Sequence, residues 1–260
     1  MSLIFIIISF SASVVGAICG IGGGVIIKPA LDAFGGVPIA TINFLSGCTV
    51  LGMTSYSVLT SLGKDQGSID IGLGVPLGIG SIVGGLCGNI FFDMISSLLP
   101  NPDTLGFVQA ALLMITVVAT MLYTLRKEAL KSLMISGALP CFCVGCALGM
   151  VSSFLGIGGG PINLMVLSFC FGMDAKIAAQ NSLFIILLSQ AASTARTLLM
   201  GCPVFELHLL LGMIVAGVSG GVAGRNINRR IDAASVDRLF LLLMGAIVLI
   251  CIYNMSCYLA

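Results

Sequence analysis

Eight stretches of this chain run for about twenty residues with hardly a charge: 2–19, 38–62, 69–92, 104–125, 132–155, 177–200, 207–226 and 237–258. A helix needs roughly 20 apolar residues to cross the hydrocarbon core of a bilayer, and each stretch comes close to that length. Two shorter apolar stretches, 25–34 and 161–172, each follow a cluster of glycines. None of the ten shows the period-two alternation of a porin strand. The sequence therefore predicts an all-α polytopic membrane protein with eight long and two short membrane segments.

Composition excludes the alternatives. Only 8% of the 260 residues are charged against 58% apolar, and the mean hydropathy is +1.18. Soluble domains are about 25% charged, so there is too little polar surface here to coat a water-soluble globule. High hydrophobicity excludes disorder, and a net charge of +1 offers no basic field for nucleic acid. Residues 1–19 read as a retained first helix rather than a signal peptide. No basic residue precedes Lys28, and Cys19-Gly20 does not resemble an A-x-A cleavage site.

The chain also repeats itself. Gly20-Ile21-Gly22-Gly23-Gly24 recurs as Gly156-Ile157-Gly158-Gly159-Gly160, displaced by 136 residues. Pro76, Gly80, Gly84 and Gly88 match Gly212, Ala216, Gly220 and Gly224 at the same displacement, and Asn43 pairs with Asn181 if two residues are inserted in the second half. Matching elements in matching order predict two membrane repeats, 1–125 and 132–260, joined by a basic linker, 126–131. Loops rich in Lys and Arg stay cytoplasmic, and those at 126–131 and 225–238 are the basic ones. They fall on one side only if the short segment 161–172 counts as a traverse. Each repeat then makes five traverses, so the two have inverted topology in the cell (plasma or inner) membrane, with both termini outside. The short segments are expected as broken or re-entrant helices at the duplicated GIGGG motifs.

Gly-x-Gly-Gly-Gly superficially resembles a phosphate loop, but no Lys-Ser/Thr follows it and no strand precedes it. Glycines every four residues, as in Gly80–Gly88, predict close helix packing, within the chain or between two copies in a homodimer. Three consecutive glycines weaken a helix more than packing requires, by about 1 kcal/mol each relative to Ala. A duplicated helix break before a short apolar segment points instead to a transporter's binding site. New helices are expected near Val25 and Pro161. The N–H groups of Gly22, Gly23, Gly24 and Val25, and of Gly158, Gly159 and Gly160, would converge on one small anion. Asn43 and Asn181 offer amide donors to the same anion, or a helix-to-helix hydrogen bond. Lys28 and Arg196 are cations that would draw an anion in, although Arg196 near a segment end also suits snorkelling.

Gly16-Ala17-x-x-Gly20-Ile21-Gly22-Gly23-Gly24 and Ser152-Ser153-Phe154-Leu155-Gly156-Ile157-Gly158-Gly159-Gly160-Pro161 resemble the sulfite exporter TauE/SafE family of membrane permeases. The resemblance implies transport of small sulfur-containing anions such as sulfite, thiosulfate or a sulfonate like sulfoacetate; composition and spacing indicate only a small-anion site. Export would run downhill from a negative interior by about 2.3 kcal/mol per charge per 100 mV. No Asp or Glu stands out inside a helix as a proton relay, which favours export over an anion channel or an ion-coupled uptake permease for another small organic anion. No H-E-x-x-H or nucleophile–base pair suggests an enzyme, and no cofactor is called for. The ten cysteines lie mostly in apolar segments, where Cys acts as a small hydrophobe. Cys143 and Cys146 share a helical face and as a lesser reading would hold a soft metal or relay sulfur.

Overall fold

The computed structural model describes residues 2–34, 36–64, 70–99, 102–127, 131–157 and 159–259. In lipid every backbone polar group must find its partner inside the protein, and the described residues form ten helices and no strand. In chain order these are α1 (Ser2–Cys19), α2 (Gly24–Phe34), α3 (Ile39–Lys64), α4 (Ile71–Leu98), α5 (Pro102–Arg126), α6 (Ala138–Phe154), α7 (Pro161–Phe171), α8 (Ala175–Met200), α9 (Leu207–Asn228) and α10 (Ala233–Leu259). Seven of the described helices are long and apolar enough to cross a membrane, not eight. The stretch 132–155 is the exception. Its helix begins only at Ala138, after Gly137 turns the chain at φ 108°. Ahead of it, Leu133 and Ile135 donate their N–H groups to Phe169 and Cys170 at the end of α7, at 2.8 and 2.7 Å.

Those bonds show that α7 doubles back along α6. The first pair does likewise, for Phe5 near the start of α1 packs on Phe34 at the end of α2, ring centroids 6.3 Å apart. Each hairpin turns at a glycine motif. At 1.5 Å per residue the 11-residue α2 and α7 reach about 16 Å, half a bilayer, so both turns sit at mid-depth.

Two apolar clusters mark the ends of the bundle. The first gathers Phe5 of α1, Leu31 of α2, Ile42 of α3 and Leu209 of α9. The second gathers Cys141 of α6, Phe171 of α7, Ala178 of α8 and Leu77 of α4. Between them runs α3, whose 26 residues span about 39 Å. Lys176, next to the second cluster, donates to Ile231 O at 2.7 Å, and Lys127 pairs with Asp237. Both basic loops therefore lie at this second end.

The tightest packing joins α4 to α6 and α1 to α9. A Cβ on Gly84 would stand 1.9 Å from Cys146 O and one on Gly88 2.4 Å from Met150 O; on Gly220 and Gly224 it would meet Phe10 O at 2.5 Å and Val14 O at 2.2 Å. Each contact in the second pair is its counterpart displaced by 136 residues. These glycine faces are filled inside one chain, so they are not open to a second copy, and a homodimer would have to use another surface. Gly84→Val forces side-chain atoms onto a carbonyl and should destabilise the bundle by roughly 1–3 kcal/mol. Gly245→Ala, with nothing within 4 Å of the new methyl, should stabilise α10 by up to about 1 kcal/mol. Thermal unfolding in detergent checks both.

Candidate functional site

The two hairpin turns meet at the centre of the bundle. A Cβ on Gly24 would lie 2.3 Å from Ile157 O, and one on Gly160 lies 3.0 Å from Val25 Cγ2. The turns need glycine for conformation as well as space. Gly20 and Gly156 hold φ 74° and 65°, and Gly159 holds 115°, where L side chains are strained. Helix α2 opens with Ile26 and Ile27 donating to Gly23 O at 3.0 and 2.9 Å, and α7 with Asn163 donating to Gly160 O at 3.0 Å. The two helix N-termini thus converge as the sequence suggests, while Gly158 lies outside the described residues. The space beside them is apolar. Val50 of α3 and Ile186 of α8, both fully buried, press against Gly22, and Ile186 also covers Gly159.

A polar cavity opens a short way off. It has a volume of about 410 Å³ and lies between α3, α4, α8 and the end of α6, lined among others by Asn43, Asn89, Ser152, Ser153, Gly156 and Gln190. Because α3 starts there and α4 and α8 end there, it opens at the first end, away from the basic loops. Asn43 Oδ1 is buried with no hydrogen-bond partner among the described residues, and Asn89 Nδ2 donates to Ser193 Oγ at 2.8 Å. At the rim Arg196 Nη2 donates to Asp93 Oδ2 at 2.6 Å. The guanidinium charge is therefore matched in place.

Displaced by 136 residues, Asn89 and Ser193 become Arg225 and Ser57, and there the equivalent space is closed. Arg225, 6% exposed, donates to Ser57 O and to Ser61 Oγ, the latter at 2.8 Å. Ser61 Oγ in turn donates to Gln180 Oε1 at 2.6 Å, and Asn228 Nδ2 to Ile18 O at 2.5 Å. One half of the molecule thus holds an open polar cavity and the other half its sealed counterpart.

Residues 5–250 match the family described as Sulfite exporter TauE/SafE. This chain belongs to that family. A relative from Bacillus subtilis (strain 168), described as "Probable membrane transporter protein YunE", is 24% identical over 265 residues, which cover 94% of this chain and 95% of the relative. No solved structure matches the chain. With its apolar helices, this TauE/SafE protein is a multi-pass membrane protein of a transporter family.

The remaining candidates are scattered. Gly22, Gly23, Gly24, Val25, Gly159 and Gly160 flank the central apolar seal and do not line the cavity. Asn181 faces the start of α4 instead, accepting from Asp70 N at 3.1 Å and donating to Ile177 O at 2.9 Å. Where Gly156 packs on Asn43, Gly20 packs on Ala179, so the counterpart of Asn43 is Ala179 and no insertion is needed. Lys28 lies behind the cavity wall, bonded to Gln109 Oε1 at 2.7 Å and Leu155 O at 2.5 Å. Cys143 is exposed and, like Cys146, does not line the cavity. Sequence reading took Arg225 as a loop cation and passed over Asn89, Ser152, Ser153 and Gln190; the 136-residue displacement linking Asn89 to Arg225 was the available signal.

Gly156→Ala tests the wall of this cavity. The methyl would stand 2.3 Å from Asn43 Oδ1, on a backbone that disfavours any side chain by about 1–2 kcal/mol. Hydrogen–deuterium exchange should rise across 152–157 relative to the unchanged protein.

Proposed function

We propose that this protein carries a small sulfur-containing anion, such as sulfite, thiosulfate or a sulfonate like sulfoacetate, across the cell membrane by alternating access. The observation that carries the reading is the open polar cavity whose counterpart is sealed by Arg225. The family supplies the substrate class. Amides and hydroxyls of Asn43, Asn89, Ser152, Ser153 and Gln190 line the outer position; as neutral donors they suit an oxyanion without binding it too tightly to leave. The helix N-termini at Gly24 and Pro161, with their unpaired N–H groups and positive dipole ends, form the deeper position at mid-depth.

The reciprocal contacts of α4 with α6 and α1 with α9, and of α4 with α8 and α3 with α9, support reading 1–125 and 132–260 as inverted repeats around that site. Exchange of the two arrangements would break the Arg225 bonds, open the second end and close the first. The positive-inside rule makes the basic loops cytoplasmic, so the cavity faces outside. The apolar seal of Val50 and Ile186 favours a carrier over an open anion channel. One ground for unaided export falls away, because a carboxylate does lie inside a helix: Asp32 in α2, with Oδ1 buried.

Purified protein in proteoliposomes should show saturable uptake of labelled sulfite and thiosulfate that is stimulated by substrate on the opposite side. Asn43→Leu and Gln190→Leu should each weaken it by about tenfold, the worth of one hydrogen bond to a charged group. Unsaturable flux without such stimulation would indicate a channel, and undiminished uptake in both variants would remove the cavity from the binding path. Arg225→Met should shift the protein toward the inward-open arrangement, read as slower labelling of Ser193→Cys by a membrane-impermeant thiol reagent from outside.

A further inference from the structure

We infer that Asp32, together with Lys28, forms a proton-binding site that couples proton movement to anion movement; the inference rests on the transport reading above. Both residues lie in α2 one turn apart, a spacing that puts them on the same face of the helix. Lys28 is 3% exposed and gives two of its hydrogens to Gln109 Oε1 and Leu155 O. Gln109 Nε2 donates in turn to Phe154 O at 2.6 Å. The pair therefore caps the last carbonyls of α6, immediately before Gly156 in the cavity wall. A cation at a helix C-terminus is favourable, and that accounts for Lys28.

Capping does not account for Asp32. Its Oδ1 is buried without a hydrogen-bond partner among the described residues, and so is Oδ1 of Asn254. Asn254 is oriented by its Nδ2, which donates to Pro29 O at 2.9 Å, leaving the oxygen as an acceptor only. Both residues border one cavity of about 10 Å³, along with Lys28, Gln109, Leu155 and Cys251. That volume holds at most one water, so no organic ligand fits. Two orphaned acceptors facing one small space need a shared donor, because an unmade bond at a buried oxygen is costly. A proton on Asp32 supplies it, with the carboxylic O–H donating toward Asn254. The Lys28 ammonium beside the space disfavours a metal cation in the same role.

The charge balance gives the coupling. With Asp32 ionised, its charge offsets that of Lys28. When the carboxylate takes one proton from water it becomes the neutral acid, and Lys28 is left with an uncompensated positive charge behind the wall at Gly156. An anion in the cavity then favours the proton and the proton favours the anion, by the reciprocity of linked binding. Both leave together on the far side, where Asp32 returns the proton to water. Other titratable groups around Asp32 come from two helices: Cys251 and Tyr258 on α10, and Asp103 at the exposed start of α5, which together with Asp32 acts on Tyr258. Of the other neighbours of α2, α1 has no charged residue, and α3 offers the Cys48 thiol and, at its far end, Lys64. Asp103 and Tyr258 mark the route from Asp32 to water at the first end.

The test uses labelled thiosulfate, which keeps its charge near neutral pH, in proteoliposomes that enclose a pH-sensitive dye. The unchanged protein should move protons with thiosulfate, and an imposed pH gradient should drive accumulation. Asp32→Asn should lower gradient-driven accumulation by roughly tenfold or more, within the range of typical coupling energies, while thiosulfate exchange stays near its original level. Exchange without proton movement in the unchanged protein, or gradient-driven accumulation that survives Asp32→Asn, would overturn the inference and leave the carrier reading standing. If Asp32→Asn does not fold, the dye record of the unchanged protein and of Asp32→Glu decides. No movement of thiosulfate at all by the unchanged protein would take down the carrier reading, and the proton site with it.

Discussion

A helix that stops halfway through a bilayer leaves backbone N–H and C=O groups in a medium that cannot solvate them. This chain stops two helices there, and each break is tolerable only because the other half of the molecule covers it. Gly24 lies against the carbonyl of Ile157, Gly160 lies against Val25, and Ile186 packs on both turns. The last carbonyls before the breaks are satisfied from outside their own hairpins, Ile18 O by Asn228 and Phe154 and Leu155 O by Gln109 and Lys28. Neither half could bury its break alone. The mutual cover explains why glycines, which cost a helix stability elsewhere, are concentrated at these points.

On that two-fold frame the side chains diverge, and the divergence is where function resides. Asn43 faces one break and Ala179 the other. Asn89 borders an open cavity, whereas Arg225 at the matching position locks its surroundings shut. Lys28 and Asp32 correspond to Leu164 and Ser168, so only the first hairpin carries a buried charge pair. A symmetric scaffold gives two arrangements of similar energy, and the unequal side chains set which is favoured and what can bias it. The Arg225 bonds hold the second end closed, and the polar lining at the first end stays accessible to a solute.

Features that follow from local physics were legible in the residues alone. The apolar runs, the glycine breaks and the side shared by the two basic loops each depend on a few consecutive residues meeting lipid or water. Features that depend on rotation of a helix about its axis were not. Asn181 shares with Asn43 only its residue type, and one half-turn of α8 directs it to the start of α4. Asp32 was hidden because it ends a short apolar run, where a charge reads as interfacial until the hairpin folds it inward. The late start of α6 at Ala138 was equally hidden, since residues 132–137 are as apolar as a helix but pair with the end of α7.

The sequence by itself determined a helical membrane protein in two related halves, with helix breaks at Gly20–Gly24 and Gly156–Gly160. Hydropathy, glycine conformational cost and charge placement are properties of residue type. Only the tertiary structure decided that the breaks are packed shut, that the open cavity lies on one side of them, and that Arg225 seals the other. Those outcomes depend on which faces of α3, α4, α8 and α9 turn inward. Helix–helix packing fixes that rotation, and no single segment carries it.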